Sequence, residues 1–349
     1  MRPLPMTTLR TPEALAAAGL VASERLPALR EVAARYAVAI TPAMAELIDT
    51  LDPADPIARQ FVPHEAELRS DPAERADPIG DAAHSPTAGI VHRYPDRLLL
   101  MLTHLCPVYC RFCFRRETVG PGGLGALSGE ALDAALAYIA GKPEVWEVIV
   151  TGGDPLYVSP RRLRALMEYL AQIAHVRVVR FHTRVPAVAP DLVTDALVEA
   201  IRPRAGQATW VALHANHPRE LTAAARAACA KIVDAGVPMV GQTVLLRGVN
   251  DDPATLSALM RAFVETRIKP YYLHHGDLAP GAAHYRMGVD DGQALMRAIR
   301  GDLSGLAQPT YVLDIPGGAG KVPIGPDYLH EVLDGERAVE DPWGGLHPY

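Results

Sequence analysis

A chain of 349 residues with 49% hydrophobic and 21% charged residues can bury a full core, and its length suits one barrel-sized domain with an appendage or two ordinary domains. The formal charge of −6, without a lysine/arginine block, argues against a nucleic-acid surface and favours a small-molecule or protein substrate. No stretch approaches the roughly 18 apolar residues of a membrane span, and residues 1–10 lack an apolar leader core, so a cytoplasmic enzyme with reduced thiols is expected.

Residues 11–50 read as helices, because Thr11-Pro12 and Thr41-Pro42 each place a capping hydroxyl before a proline at the first helical position. Residues 51–91 are rich in Pro, Asp and His with little periodicity, and are expected to form an extended wrap. From about residue 95, short β-rich runs alternate with alanine- and leucine-rich helical patterns, the sign of repeated βα units and a parallel sheet. The expected strands are 97–102, 146–151, 176–182, 209–214, 239–246, 269–274 and 310–314. Between them, Ser159 is expected to cap a helix over 160–174, and Gly236 to end one over 219–235. The resulting fold class is α/β, a curved or closed (β/α) barrel over 91–320, preceded by a helical segment and wrap over 1–90 and followed by a turn and tail over 321–349.

The chemistry-bearing residues fall in one register of this pattern. Cys106 to Cys113, Thr151-Gly-Gly-Asp154, His182-Thr-Arg184, His214-Ala-Asn216-His217, His274-His-Gly-Asp277 and Asp314 to Lys321 all sit at or just past the C-terminal end of an expected strand. In parallel barrels that rim is where active sites are built.

Cys106-Pro-Val-Tyr-Cys110-Arg-Phe-Cys113 holds three of the four cysteines. Three thiolates at this spacing can hold three irons of a cubane cluster and leave the fourth open. A structural zinc site would need a fourth ligand, for which His104 is the nearest candidate, whereas Cys229 reads as an ordinary buried thiol. Pro316-Gly-Gly-Ala-Gly-Lys321 is a glycine-dense turn that delivers a lysine. It is not a phosphate-binding P-loop, since Val322 stands where a Ser or Thr is needed and Pro323 follows instead of a helix. A plain turn with a surface lysine and a Schiff-base lysine for pyridoxal phosphate (PLP) are the remaining readings.

With Phe112 before the last cysteine, the loop resembles that of the radical S-adenosylmethionine (SAM) enzymes. Beside Lys321 it resembles more narrowly the lysine 2,3-aminomutases, which also use PLP. The resemblance runs from Ala39 to Tyr328 through Ser85-Pro-Thr-Ala-Gly89, His92-Arg-Tyr-Pro-Asp-Arg97, the cysteine loop, Thr151 to Asp154, Gly241 to Asp251, Lys269-Pro-Tyr-Tyr272 and Pro316 to Lys321. It implies a partial, roughly six-stranded (β/α) barrel of the radical SAM type and an isomerase that moves the α-amino group of L-lysine to C3.

The resemblance also implies roles. Cys106, Cys110 and Cys113 would ligate a [4Fe-4S] cluster whose open iron takes SAM, and Thr151, Gly152, Gly153 and Asp154 would meet its methionyl amine. Lys321 would carry PLP, with Arg93 and Gln242 near the cofactor and its phosphate. Arg115 would take the substrate α-carboxylate, and Asp277 and Asp314 its distal ammonium, a pair that disfavours glutamate. A low-potential donor such as flavodoxin or ferredoxin would supply the electron.

The free-lysine branch of the family continues into a cysteine-containing region associated with zinc. No cysteine follows Cys229 here, so structural zinc is expected to be absent. Phe112, Phe114, the short length and Gly281-Ala-Ala-His284 lean toward the branch that acts on a lysine linked to elongation factor P. The glycine turn and Asp314 lean toward free lysine. An aminomutase for another amino acid and a non-catalytic iron-sulfur protein are the other readings.

Overall fold

The computed structural model describes residues 5–120, 122–331 and 337–349. Residues 1–4 of the expected N-terminal segment and 332–336 of the expected tail lie outside the described residues. The alternation becomes one nine-stranded sheet whose strands follow in chain order: β1 (Ile90–Tyr94), β2 (Arg97–Thr103), β3 (Glu147–Gly152), β4 (Val178–Thr183), β5 (Ala208–His214), β6 (Met239–Val244), β7 (Ile268–His274), β8 (Thr310–Ile315) and β9 (Gly320–Pro323). Strands β2 to β8 run parallel, while β1 and β9 lie antiparallel on the two edges. Helices Glu130–Ala140, Pro160–Leu170, Asp195–Ile201, Ala223–Asp234, Pro253–Glu265 and Val289–Arg300 connect them. This makes six βα units, the (β/α)6 arrangement.

Strand periodicity decides what faces inward. In β2, Leu100 and Leu102 are buried in the apolar core, whereas Arg97 and Leu99 line a central cavity. In β6, Met239, Gly241 and Thr243 are buried, and the alternate residues Gln242 and Val244 line the same cavity. A slip of one residue would exchange the two sets.

The seven expected strands lie within two residues of the observed ones. Two edge strands escaped the sequence. In β1, His92-Arg-Tyr94 gives an apolar-poor pattern, and β9 is a four-residue strand behind a glycine turn. Ser159 occupies the position before helix 160–170 but its side chain makes no capping hydrogen bond. The helix expected from 219 begins at Ala223, because Thr222 accepts the N–H of Ala225 at 3.2 Å and residues 218–220 form a separate tight turn. Gly236 adopts a left-handed φ of 84°, as a helix end requires.

Short helices Pro12–Ala17, Leu26–Arg35 and Pro42–Leu47 precede the barrel, with Thr11 and Thr41 accepting the N–H groups of Ala14 and Met44. The wrap is less extended than expected. Asp55-Pro56 repeats the same device, accepting from Ile57 and Ala58 at 2.9 and 2.7 Å, and starts a helix at Pro56–Phe61. The wrap then runs along the open side of the barrel. His84 Nε2 meets the Gly318 carbonyl at 3.1 Å, and the Lys321 N–H donates to the Tyr94 hydroxyl at 2.7 Å. Tyr94 belongs to β1 and Lys321 to β9, so the sheet curls until its two edges are joined by a side chain. Beyond it, β10 (Leu329–Glu331), β11 (Arg337–Glu340) and β12 (Leu346–Pro348) form a small antiparallel sheet, tied back by the Arg297–Glu340 ion pair at 2.7 Å.

Candidate active site

The barrel encloses a cavity of about 640 Å³. All thirteen residues singled out from the sequence line it: Cys106, Cys110, Cys113, Thr151, Gly152, Gly153, Asp154, Arg93, Arg115, Gln242, Asp277, Asp314 and Lys321.

The cysteine loop leaves β2 and is bolted to the N-terminal segment. The N–H groups of Tyr109 and Arg111 donate to the carbonyls of Ala39 and Gln60 at 3.1 and 2.9 Å. Arg111 is 1% exposed and forms a two-pronged pair with the fully buried Glu67, which also accepts from Arg116. Burial, the Asp154 carboxylate and the other two thiols push Cys106 well up, and burial with Cys110 pushes Cys113 up to about 11. Such thiols are costly to ionise alone and suit a strongly cationic iron-sulfur group. Among the described residues no three His, Cys, Asp or Glu side chains converge on a point for one metal ion, whereas a cubane cluster takes each thiolate on a different iron. His104, the candidate fourth zinc ligand, is buried with its Nδ1 against the Gly125 carbonyl at 3.3 Å and does not reach the cavity.

The Thr151 to Asp154 turn is pressed onto that loop. Gly152 has a left-handed φ of 106°, and a Cβ there would stand 2.4 Å from the Thr103 carbonyl oxygen. At Gly153 a Cβ would stand 2.5 Å from the Leu105 carbonyl oxygen. Only glycine permits this approach. The Asp154 carboxylate is occupied by Thr183 Oγ1 at 2.6 Å and the N–H groups of Arg184, Val185 and Leu156, so its side chain serves to fix the end of β4.

At the opposite edge of the sheet, Lys321 stands on β9 directly across from Asp314 on β8, and its Nζ donates to that carboxylate and to His274 Nδ1 at 3.1 Å. His274 Nε2 meets Gln242 Oε1 at 3.2 Å, which assigns the ring proton to Nε2. Burial pulls His182, His214 and His274 below the usual imidazole range, so neutral rings face the cavity. Burial alone would raise Asp314, but the Lys321 ammonium that donates to it holds it at about 2. Asp277 goes the other way, pushed up to about 7 by burial and by the charge on Asp314.

Asp81 went unmarked in the sequence, one acid among many in the wrap. Its carboxylate accepts from Arg115 at 2.7 and 3.1 Å and from Arg93 at 3.3 Å, gathering both guanidinium groups. Arg93 also donates to the Ile79 carbonyl at 2.6 Å, while its buried Nε has no hydrogen-bond partner among the described residues. His274 and Arg184 lay in motifs noted on the rim, yet only their spatial neighbours show what they do.

Residues 100–259 match the family model described as the radical SAM superfamily, and residues 296–338 match the one described as lysine-2,3-aminomutase. The L-lysine 2,3-aminomutase of Clostridium subterminale is 40% identical, across 84% of this chain and 70% of its own. That of Fusobacterium nucleatum is 40% identical across 84% and 68%. The glutamate 2,3-aminomutase of Clostridioides difficile is 36% identical across 86% and 70%. A radical SAM methyltransferase from Sphaerobacter thermophilus aligns with 64% of this chain and 68% of its own, at a TM-score of 0.44 and 20% identity. The chain belongs to the lysine 2,3-aminomutase family, an isomerase of the radical SAM superfamily whose chemistry runs on a [4Fe-4S] cluster and SAM.

Proposed function

We propose that this protein converts L-lysine to β-lysine by moving the α-amino group to C3, with PLP carried on Lys321 and the cluster on Cys106, Cys110 and Cys113. The observation that carries this reading is that Asp277 and Asp314 line one cavity together with Arg115 and Lys321, where the charge on Asp314 adds to burial in pushing Asp277 up. A cation lodged against both relieves that repulsion, whereas a third carboxylate adds to it. This favours lysine over the substrate named for the glutamate relative.

The residues present fit PLP. Lys321 projects into the cavity, Arg93 offers a buried unpartnered Nε, and a Cβ at Gly318 would stand 2.8 Å from His84 Nε2, so the turn is packed for backbone approach. When bound, PLP would supply a carbon–nitrogen double bond across which nitrogen can pass between adjacent carbons, and the cluster with SAM would supply the radical. The chain's own part is to orient. Arg115 would hold the α-carboxylate in exchange for Asp81, Asp277 and Asp314 the distal ammonium, and the barrel wall would exclude water around the reacting carbon. His274 accepts a proton-bearing Lys321 at Nδ1 and stands ready to orient the freed amine.

A second reading is β-lysine made for, or on, elongation factor P. It rests on the resemblance of Phe112 and Phe114 to that branch of the family. In either case we place the enzyme in the cytoplasm with a low-potential flavodoxin or ferredoxin as donor.

The test is anaerobic reconstitution with iron, sulfide, PLP, SAM, reductant and either L-lysine or L-glutamate, followed by mass spectrometry of the products. Catalytic β-lysine and no β-glutamate is the expected result. Lys321→Ala should lose product while keeping the cluster absorbance. Intact cofactor bands without β-lysine would end the free-lysine reading, and a lysine linked to elongation factor P would then be assayed.

A further inference from the structure

Arg184 lies just past the end of β4 and is 5% exposed. Its Nη1 donates to Cys110 Sγ at 2.8 Å, and its Nη2 donates to Gln60 Oε1 and Glu220 Oε2, both at 2.6 Å. Its backbone N–H donates to Asp154 at 2.7 Å. Glu220 is fixed in turn by the N–H groups of Asn216 and His217 at 2.9 and 3.0 Å and by Gln60 Nε2 at 3.1 Å. The guanidinium stacks over Phe61 at 4.7 Å and stands 5.5 Å from the Phe112 ring. A side chain that ordinarily keeps much rotamer freedom is here held through both Nη groups, with one N–H aimed at one sulfur, while its buried Nε has no hydrogen-bond partner among the described residues.

The three thiols are unequal in this respect. Among the described residues Cys110 alone takes a hydrogen bond from a cationic side chain. Hydrogen bonds to the sulfurs, net charge and burial are the levers by which a protein sets the potential of an iron-sulfur cluster.

We propose that Arg184 raises the reduction potential of the cluster through Cys110, an inference that rests on the reading of Cys110 as a cluster ligand. Reduction adds one electron from a low-potential donor, taking the cluster from the 2+ to the 1+ state, with no proton moved and no bond broken. The added negative charge spreads onto the sulfurs. A fixed, desolvated cation at hydrogen-bond distance stabilises the reduced state more than the oxidised one. Arg184 is a positioning residue in this scheme, with Glu220 and Gln60 holding it in place.

The test compares the reconstituted parent protein with Arg184→Lys and with the double variant Arg184→Met/Glu220→Gln, which removes the cation together with its buried counter-charge. Iron and sulfide content are measured first. The reduced fraction is then read by EPR at a series of poised potentials without SAM. With cluster content unchanged, the double variant should show a reduced-to-oxidised ratio at least tenfold lower at a fixed potential, about 59 mV for one electron. Arg184→Lys should fall between the two, and it carries the test should the double variant not fold. Full cluster content with an unmoved ratio would overturn the inference. Loss of SAM binding with an unmoved ratio would likewise overturn it, assigning Arg184 to SAM. A Cys110→Ala protein that keeps the full cluster and its EPR signal would remove the ligand reading itself, a failure distinct from that of the potential.

Discussion

Asp277 and Asp314 are the same residue type lining one cavity, yet their environments drive them apart. Asp314 has Lys321 as its partner, while Asp277 has burial and a neighbouring negative charge, so the first stays ionised and the second titrates at about 7. An unfolded aspartate titrates near ~3.9. Between roughly pH 4 and pH 7 the folded chain therefore keeps a proton that the unfolded chain has lost, and Asp277 makes the protein less stable as pH rises through that window. Asp277→Asn should flatten this slope, read as thermal midpoints of the cofactor-free protein from pH 5 to pH 7.5. A variant slope as steep as the parent's would assign the effect to other groups. On the proposed reading of Asp277 as a contact of the substrate ammonium, the same substitution should raise KM for lysine about tenfold, the expectation for losing one charge-assisted contact.

At the scale of elements, the cysteine loop is steadied by a single buried carboxylate. Glu67 comes from the wrap, and Arg111 and Arg116 from the loop on either side of Cys113, so one acid joins two segments distant in sequence. Glu67→Gln leaves two buried guanidinium groups without their counter-charge and should cost about 3–5 kcal/mol, measurable by urea unfolding. A cost below about 1 kcal/mol would mean that the carbonyls of Ala37 and Gly281, which also accept from these arginines, suffice alone. This node also marks where sequence reading stops. Strands β2 to β8 are legible because each is an apolar run between turn residues, and the rim residues because they follow those runs at a fixed offset. Glu67, Asp81 and the partners of Arg184 have no such period. They matter through contacts 34 to 44 residues away for Asp81 with Arg115 and Glu67 with Arg111, and 124 residues away for Gln60 with Arg184. The helix at Pro56–Phe61 was signalled by Asp55-Pro56 but is too short to show a repeat of its own.

Across the molecule, one apolar core runs from Leu9, Leu29 and Phe61 of the leading segment through Leu98 and Val148 to Ile299 and Tyr311. The leading segment is thus covered by the barrel helices and covers them in return, which predicts that the two unfold together. Calorimetry of the cofactor-free protein should give one transition with equal calorimetric and van't Hoff enthalpies. Two separated transitions would show that the leading segment melts independently. The hairpin between β8 and β9 has a further consequence. Four residues, Pro316 to Ala319, separate the paired Ile315 and Gly320, and this count sets Lys321 opposite Asp314. Because side chains alternate across a strand, the loop acts as a ruler. One residue more or fewer would leave the same glycines and the same lysine in the chain but turn the amine out of the barrel, so what the loop encodes is a length.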